Sequence, residues 1–291
     1  MTASGKPRAQ RGQIWHRVAG YACVMKILPV LGLLLLFAAS PGLAAPASVF
    51  LEDLTSVQVA AAIREGHTTI IIPVGGVEQN GPHMALGKHN LRVKVLAGRI
   101  AQQLGNAIVA PVVAYVPEGK LTPPTEHMRF AGTISVPEAA FKGILDGTAR
   151  SFRQHGFRDI VLLGDHGGYQ SALQAVAASL NRDWAKSGAR AHFAGEYYRA
   201  TQTPYIDALK AKGLTDAQIG IHAATADTSL MMAIDPSMVR PELFAQAARE
   251  GRTGGVNGDP RPSSAALGQI GVEAVIQQTV AAIRSAVAAP R

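Results

Sequence analysis

Four apolar runs rich in β-branched residues, at 68–74, 107–113, 159–163 and 190–197, alternate with helix-length amphipathic stretches at 56–65, 90–105, 138–155, 169–186, 225–233 and 271–288. Strands separated by helices return to the same edge of the sheet and therefore pair in parallel, with helices covering both faces. The pattern predicts a layered α/β/α domain around a largely parallel sheet. The punctuation agrees with it: Gln154-His155-Gly156 places a glycine where a helix ends, directly before the run Ile160-Val161-Leu162-Leu163. No internal repeat, low-complexity tract or linker divides the chain, so one domain is expected over 45–291. In open α/β sheets ligands bind beyond the carboxyl ends of the strands. The polar residues that follow each strand are therefore the candidates for chemistry.

With 291 residues, 47% of them hydrophobic and 16% charged, the chain is long and apolar enough to bury an ordinary core. Its single cysteine excludes a disulfide scaffold and a cysteine-based zinc module. The formal charge of +8 is misleading, because Lys6, Arg8, Arg11, Arg17 and Lys26 fall in the first 44 positions, where there is no acid; without them 23 basic residues face 20 acidic ones. The remaining cations are scattered with no interleaved aromatics, which argues against a nucleic-acid partner.

Those first residues read as an export signal. Lys26 precedes the apolar run 27–39, and Ser40-Pro41-Gly42-Leu43-Ala44 then supplies a helix breaker with small residues at the −3 and −1 positions. The run is shorter than the roughly 20 residues of a membrane-spanning helix. Cleavage after Ala44 is expected, with Met25 as an alternative translation start and a periplasmic or secreted destination. No stable membrane span is expected after cleavage, and Cys23 is lost with the signal.

Three loops gather four of the histidines: 75–90 after the first strand (His83, His89), 164–169 after the third (His166), and 220–229 (His222). Glu78 lies in the first loop and Asp227 in the last. Histidines beside glycines at strand ends, with carboxylates nearby, point to a metal or acid–base site.

At these residues the sequence resembles the creatininase (creatinine amidohydrolase) family. The resemblance is carried by Glu78-Gln79-x-Gly81-Pro82-His83, by Glu126-His127-x-x-Phe130-x-Gly132-Thr133-Ile134-Ser135, by His155-Gly156-Phe157-Arg158, by Gly164-x-His166-Gly167-Gly168, by His222-Ala223-x-x-x-x-Thr228-Ser229 and by Gly258-Asp259-Pro260, in that order over roughly 50–285. It implies a creatininase-like α/β fold, often assembled as a homo-oligomer such as a hexamer, and metal-dependent hydrolysis of a cyclic amide or related C–N bond in a small-molecule substrate. It also implies two divalent metals in most members, with Glu78 and His166 matching ligands of the first and His222 matching a proton-handling histidine.

The chain departs from that pattern at the second metal. Asn80 stands where a histidine ligand is usual, His89 where an aspartate bridges the two ions, and Gly168 and Thr225 where an acid completes the second site. Glu78, His89 and His166 remain, and two imidazoles with one carboxylate suit a single ion, zinc first, with iron or manganese as alternatives. The expectation is one metal per subunit on those three residues. Asn80, His83, Glu126, His127, Asp165 and Asp227 are expected as substrate contacts or outer supports. Two other readings stay open: a mononuclear Fe(II) enzyme that does not hydrolyse, and a metal-free binding or scaffold protein with the same fold.

Overall fold

The run Thr69–Val74 is buried along its whole length, and its alternation sends Ile70, Ile72 and Val74 to one face of a sheet and Ile71 to the other. A strand apolar on both faces needs cover on both. The computed structural model, which describes residues 46–290, supplies it. The expected export signal lies outside the described residues.

In chain order the elements are α1 (Ser56–Arg64), β1 (Thr69–Val74), α2 (Lys88–Leu104), β2 (Ala107–Val109), α3 (Glu138–Gln154), β3 (Asp159–Gly164), α4 (Gln170–Asp183), β4 (Arg190–Phe193), α5 (Glu196–Gln202), α6 (Pro204–Ala211), α7 (Asp216–Ile219), α8 (Thr225–Ile234), α9 (Phe244–Glu250) and α10 (Ala265–Ala288). The four strands form one parallel sheet in the order β2-β1-β3-β4, with Thr69 opposite Asp159 and Val74 opposite Gly164. The chain leaves β1 on one side for β2 and comes back on the other side for β3. The strand order therefore reverses between β1 and β3, which opens a crevice at their carboxyl ends.

Residues of α2, α5, α6, α8 and α10 pack with Ile71, Val161 and Leu163 on one face, and residues of α1, α3 and α4 pack with Ile70, Ile72, Ile160 and Leu162 on the other. This is the expected layered α/β/α domain. A smaller cluster of Met84, Ala223, Met231, Val239, Phe244, Ala247 and Val256 braces the loops at the crevice.

The differences from expectation have local causes. The run 190–197 is strand only to Phe193, because Ala194-Gly195 turns the chain into α5, on which Tyr197 and Ala200 face the core. The run 107–113 is strand only to Val109; beyond it Ala110 N still donates to Ile71 O at 2.8 Å, and Val113 bridges to Val74. Helix α2 begins earlier than expected, at Lys88, and α10 begins at Ala265, where the Ser264 hydroxyl accepts from Leu267 N at 3.2 Å. Helix α10 is long and apolar enough to cross a bilayer, yet Val272, Val275, Ile276, Val280 and Ile283 are buried in the core. It lies so close to α8 that a Cβ on Gly268 would come within 1.8 Å of Ser229 O.

Candidate metal centre

The carboxyl ends of β1 and β3 are fixed to each other before any site residue is placed. The Tyr169 hydroxyl is buried; it lies 2.6 Å from Gly75 O and accepts from the amides of Asp165 and His166 at 3.2 and 3.0 Å. Just past β1 the backbone passes so near α2 that a Cβ on Gly75 would meet Asn90 Oδ1 at 2.2 Å, while Gly76 N donates to that oxygen at 2.9 Å. Five segments then converge. The β1 loop brings Glu78, the first turn of α2 brings Lys88, His89 and Arg92, and the β3 loop brings Asp165 and His166. The irregular stretch after β2 brings Glu118 and His127, and the start of α8 with the loop before it brings His222 and Asp227. Left-handed backbone is held by Glu126 (φ 48) and Ala223 (φ 51), immediately beside His127 and His222, whose rings stand 4.6 Å apart. Strain in non-glycine residues of this kind gathers at functional sites.

Glu78 is fully buried, and its two oxygens meet different surroundings. Oε1 accepts from His89 Nε2 at 2.7 Å and lies 3.2 Å from Lys88 Nζ. Oε2 has no hydrogen-bond partner, and neither oxygen of Glu118 has one. Around them stand His127 Nε2, 3.2 Å from Glu78 Oε2, and His166, with Nε2 3.5 Å from Glu78 Oε2 and Nδ1 3.6 Å from Glu118 Oε2. One donor atom from each of Glu78, Glu118, His127 and His166 lies within 4.8 Å of the others.

The electrostatics of this side suit a cation. Burial, followed by the charge of Glu78, pushes the Glu118 carboxyl up to about 8. Burial pushes His166 down to about 4 and lowers His127, so at neutral pH both rings are uncharged; Nδ1 of His166 accepts from Gly168 N at 3.2 Å and Nδ1 of His127 faces the Gln79 side-chain nitrogen at 3.1 Å, which leaves Nε2 of each ring toward Glu78. Glu78 itself is held well below the usual carboxylate range: burial would raise it, but Lys88, His89 and His166 outweigh that. Two carboxyl groups, of which Glu118 gives up its proton to an ion, and two neutral imidazoles are a fitting donor set for a zinc, manganese or iron ion.

The other side is an ion-pair network. Lys88 Nζ contacts both Glu78 Oε1 and Asp227 Oδ2, and Arg92 spans Asp165 (Nε to Oδ2, 3.0 Å) and Asp227 (Nη1 to Oδ1, 2.7 Å). Tyr197 Oη donates to Asp165 Oδ1 at 2.6 Å. Asp165 and Asp227 are held below the usual range, because Arg92 for the first and Lys88 for the second outweigh burial.

The expected ligands thus separate. Glu78 and His166 belong to the donor cluster. His89 does not: its Nδ1 faces Asp165 Oδ2 at 2.5 Å and its Nε2 faces Glu78 Oε1, which leaves no free lone pair for an ion. Burial and Lys88 push this ring down, but the two carboxylates prevail and its pKa is raised. Its place in the cluster is taken by His127, expected only as a support, and by Glu118, which lies in a stretch without periodicity. Asn80 turns back into its own loop and donates to Glu78 O and Ala85 O at 2.9 and 3.0 Å. His83 pairs with Thr228 Oγ1 at 3.0 Å and packs edge-on against Phe244, away from the cluster. Glu126 is exposed. His222 stands with Nδ1 3.6 Å from Glu78 Oε1 and Nε2 3.0 Å from Gln79 O, and burial and then Lys88 push it down to about 3. A sequence signal existed for Lys88, His89 and Arg92, since polar residues in the first turn precede the buried Val93 and Leu96 on α2.

A cavity of about 130 Å³ opens beside the cluster and is lined by Glu78, Lys88, His166, Tyr198, Gln202, Ile221, His222 and Asp227 among others.

Comparison with known proteins places this geometry. Residues 52–283 match the family model described as creatininase, creatinine amidohydrolase. The chain is 30% identical over 221 residues to the mycofactocin precursor peptide peptidase of Mycolicibacterium smegmatis, covering 69% of this chain and 78% of that protein. It is 28% identical over 202 residues to the creatinine amidohydrolase of Pseudomonas putida, covering 66% and 74%. A solved creatinine amidohydrolase superposes with a TM-score of 0.69 at 23% identity, over 84% of this chain and all of that one, and a manganese form with 0.68 at 23%, over 83% of this chain and all of that one.

Proposed function

The chain belongs to the creatininase (creatinine amidohydrolase) family, and from this membership and the buried donor cluster we propose that it is an exported metal-dependent hydrolase of a small cyclic amide or related C–N bond. The observation that carries the metal-dependent part is the set of three buried carboxylate oxygens, Glu78 Oε2 and both of Glu118, left without partners opposite His127 and His166. Uncompensated polar atoms at such depth cost roughly 1–3 kcal/mol each, and more when charged; a proton shared between Glu118 and Glu78 relieves part of that cost, and a bound cation would replace it.

Glu78, Glu118, His127 and His166 would hold the ion, which supplies Lewis acidity toward a carbonyl and toward water when bound. The chain's own part begins with orientation. Lys88 and His89 fix Oε1 of Glu78, so that Oε2 alone is offered to the cluster. His222 Nε2 faces both the Gln79 main-chain carbonyl, which can only accept, at 3.0 Å and the Gln79 side-chain nitrogen, which can only donate, at 3.1 Å, so this nitrogen has a partner in either tautomer. A neutral His222 takes a proton from the attacking water and returns it to the departing nitrogen, help worth about 10²–10⁴-fold. The cavity of about 130 Å³ favours a small ring or short amide over an extended chain. The order basic, apolar, small over 26–44 supports export, and assembly into a homo-oligomer is proposed from the family resemblance alone.

The test is metal analysis of the purified protein together with a hydrolysis screen over cyclic amides, imides, lactones and short amides. Turnover abolished by chelation and restored by Zn2+ or Mn2+ is the expected result. A protein that carries no metal above background and hydrolyses none of these would refute the proposal.

A further inference from the structure

Lys88 is 1% exposed at the floor of the cavity, an unusual place for an ammonium group. It bridges two carboxylates from distant parts of the chain, Glu78 Oε1 and Asp227 Oδ2, and the second of these is also held by Arg92 Nη1 at 2.7 Å and Ala223 N at 3.1 Å. His222 Nδ1 stands 3.6 Å from the same Glu78 oxygen. Without the ammonium, this spot would be one buried and one partly buried carboxylate oxygen, the first also facing His89 Nε2 at 2.7 Å, with the His222 imidazole beside them, a set of donors that suits a divalent ion. Glu78 would bridge it to the donor cluster, because its other oxygen faces Glu118, His127 and His166.

We propose that the Lys88 ammonium is a built-in second cation: it occupies the position in which a second metal ion would be held by Glu78 and Asp227, and so limits the centre to one exchangeable ion. This rests on the reading of Glu78, Glu118, His127 and His166 as metal ligands. The replacement has physical sense. An ammonium is a compact point charge with three donors, so it balances two carboxylates as an ion does, but it is covalently fixed and cannot be lost to a chelator. This side of the cavity therefore carries a fixed positive charge, with no exchangeable ligand position.

The experiment uses the full-length metal-stripped protein and Mn2+ alone as probe, with stoichiometry read by titration calorimetry and ion proximity by electron paramagnetic resonance. The unmodified protein should take up one Mn2+ with the spectrum of an isolated ion. Lys88→Ala should take up two, with the broadened spectrum of a coupled pair, because Glu78 links both positions; Lys88→Arg, which keeps the charge, should stay at one. An alanine variant that binds the same number as the unmodified protein overturns the proposal, as does an unmodified protein that already binds two. The metal reading fails separately: if the unmodified chain binds none and Lys88→Ala binds one, the lysine still stands in for an ion and only the ligand cluster is wrong. Should Lys88→Ala unfold when stripped, Mn2+ is expected to refold it, as read by circular dichroism, and a chain that stays unfolded in Mn2+ also overturns the proposal.

Discussion

Glu118 offers the sharpest test of the centre, because its environment ties metal affinity to pH in a window that no histidine would give. Its carboxyl is pushed up to about 8, so at pH 7 the protonated form outnumbers the ionised form by about ten to one. An ion that uses Glu118 must displace that proton, which weakens apparent binding at pH 7 by about tenfold, or about 1.4 kcal/mol, relative to a fully ionised site. Affinity should therefore rise about tenfold per pH unit below 8 and level off above it. Calorimetric titration with Zn2+ in buffers of different ionisation enthalpy should record release of about 0.9 proton at pH 7 and about 0.1 at pH 9. His166, already down at about 4, and the lowered His127 contribute little in that range. Imidazole ligands of ordinary pKa would put the window near 6.5; burial moves these imidazoles below it and the carboxyl above it. Glu118→Gln should abolish the step and weaken Zn2+ binding at pH 9 by about two orders of magnitude, no less than the upper range for outer-sphere changes. The same shift has a stability consequence with the opposite slope. In stripped protein the folded state keeps a proton that the unfolded chain releases, so stability falls as pH rises from about 4.5 through about 8. Glu118→Gln should remove that loss, amounting to a few kcal/mol in urea unfolding at pH 9. An affinity profile that bends at 6.5, or a Gln variant with unchanged proton release, would refute the assignment of Glu118 to the centre.

His222→Ala should lower turnover by about 10²–10⁴-fold while metal content stays unchanged; if elemental analysis shows the ion leaving with the activity, His222 is a ligand and not a proton carrier. His89→Asp puts a third carboxylate between Glu78 and Asp165, and should cost about 3–5 kcal/mol in denaturant unfolding, whereas a cost below about 1 kcal/mol would mean that the ring is not the ionic link described here. Gly268→Ala drives a Cβ to within 1.8 Å of Ser229 O and should destabilise by about 1–3 kcal/mol or more through separation of α10 from α8; an unchanged midpoint would show that the two helices shift apart freely. Protein recovered from the exported fraction of an expressing cell should begin near Ala45 by N-terminal sequencing, and a functional chain that retains 1–44 would contradict the signal assignment.

Much of the architecture was legible because its causes are local. Ile70-Ile71-Ile72 and Ile160-Val161-Leu162-Leu163 are apolar on both faces, which in a chain with intervening helices leaves only a covered parallel sheet. The same logic fixed where chemistry belongs, since Gly75 and Gly164 end the central strands and the residues after them, Glu78 and His166, lie at the reversal of strand order. Less was legible where regular structure stops. Helices α5, α6, α7 and α9 are short and draw their stability from packing, so their periodicity is weak in the sequence.

What the sequence by itself determined was the sheet, the helices on both faces, and the identity of Glu78, His166 and His222 as residues of one strand-end site. Tertiary structure alone decided which side chains form the donor set. Glu118 and His127 lie in a stretch with no repeating pattern, and only the path of that stretch over the ends of β1 and β3 brings them to Glu78. It decided the fate of His89 as well. Whether an imidazole is a ligand or half of an ion pair depends on what faces its two nitrogens, and here those are Asp165, 76 residues away, and Glu78, a carboxylate that Lys88 already holds. A residue type and its spacing fix which chemistry a side chain can perform; the charges folded around it fix which one it does perform, because in a buried site desolvation and the nearest opposite charges set the protonation state together.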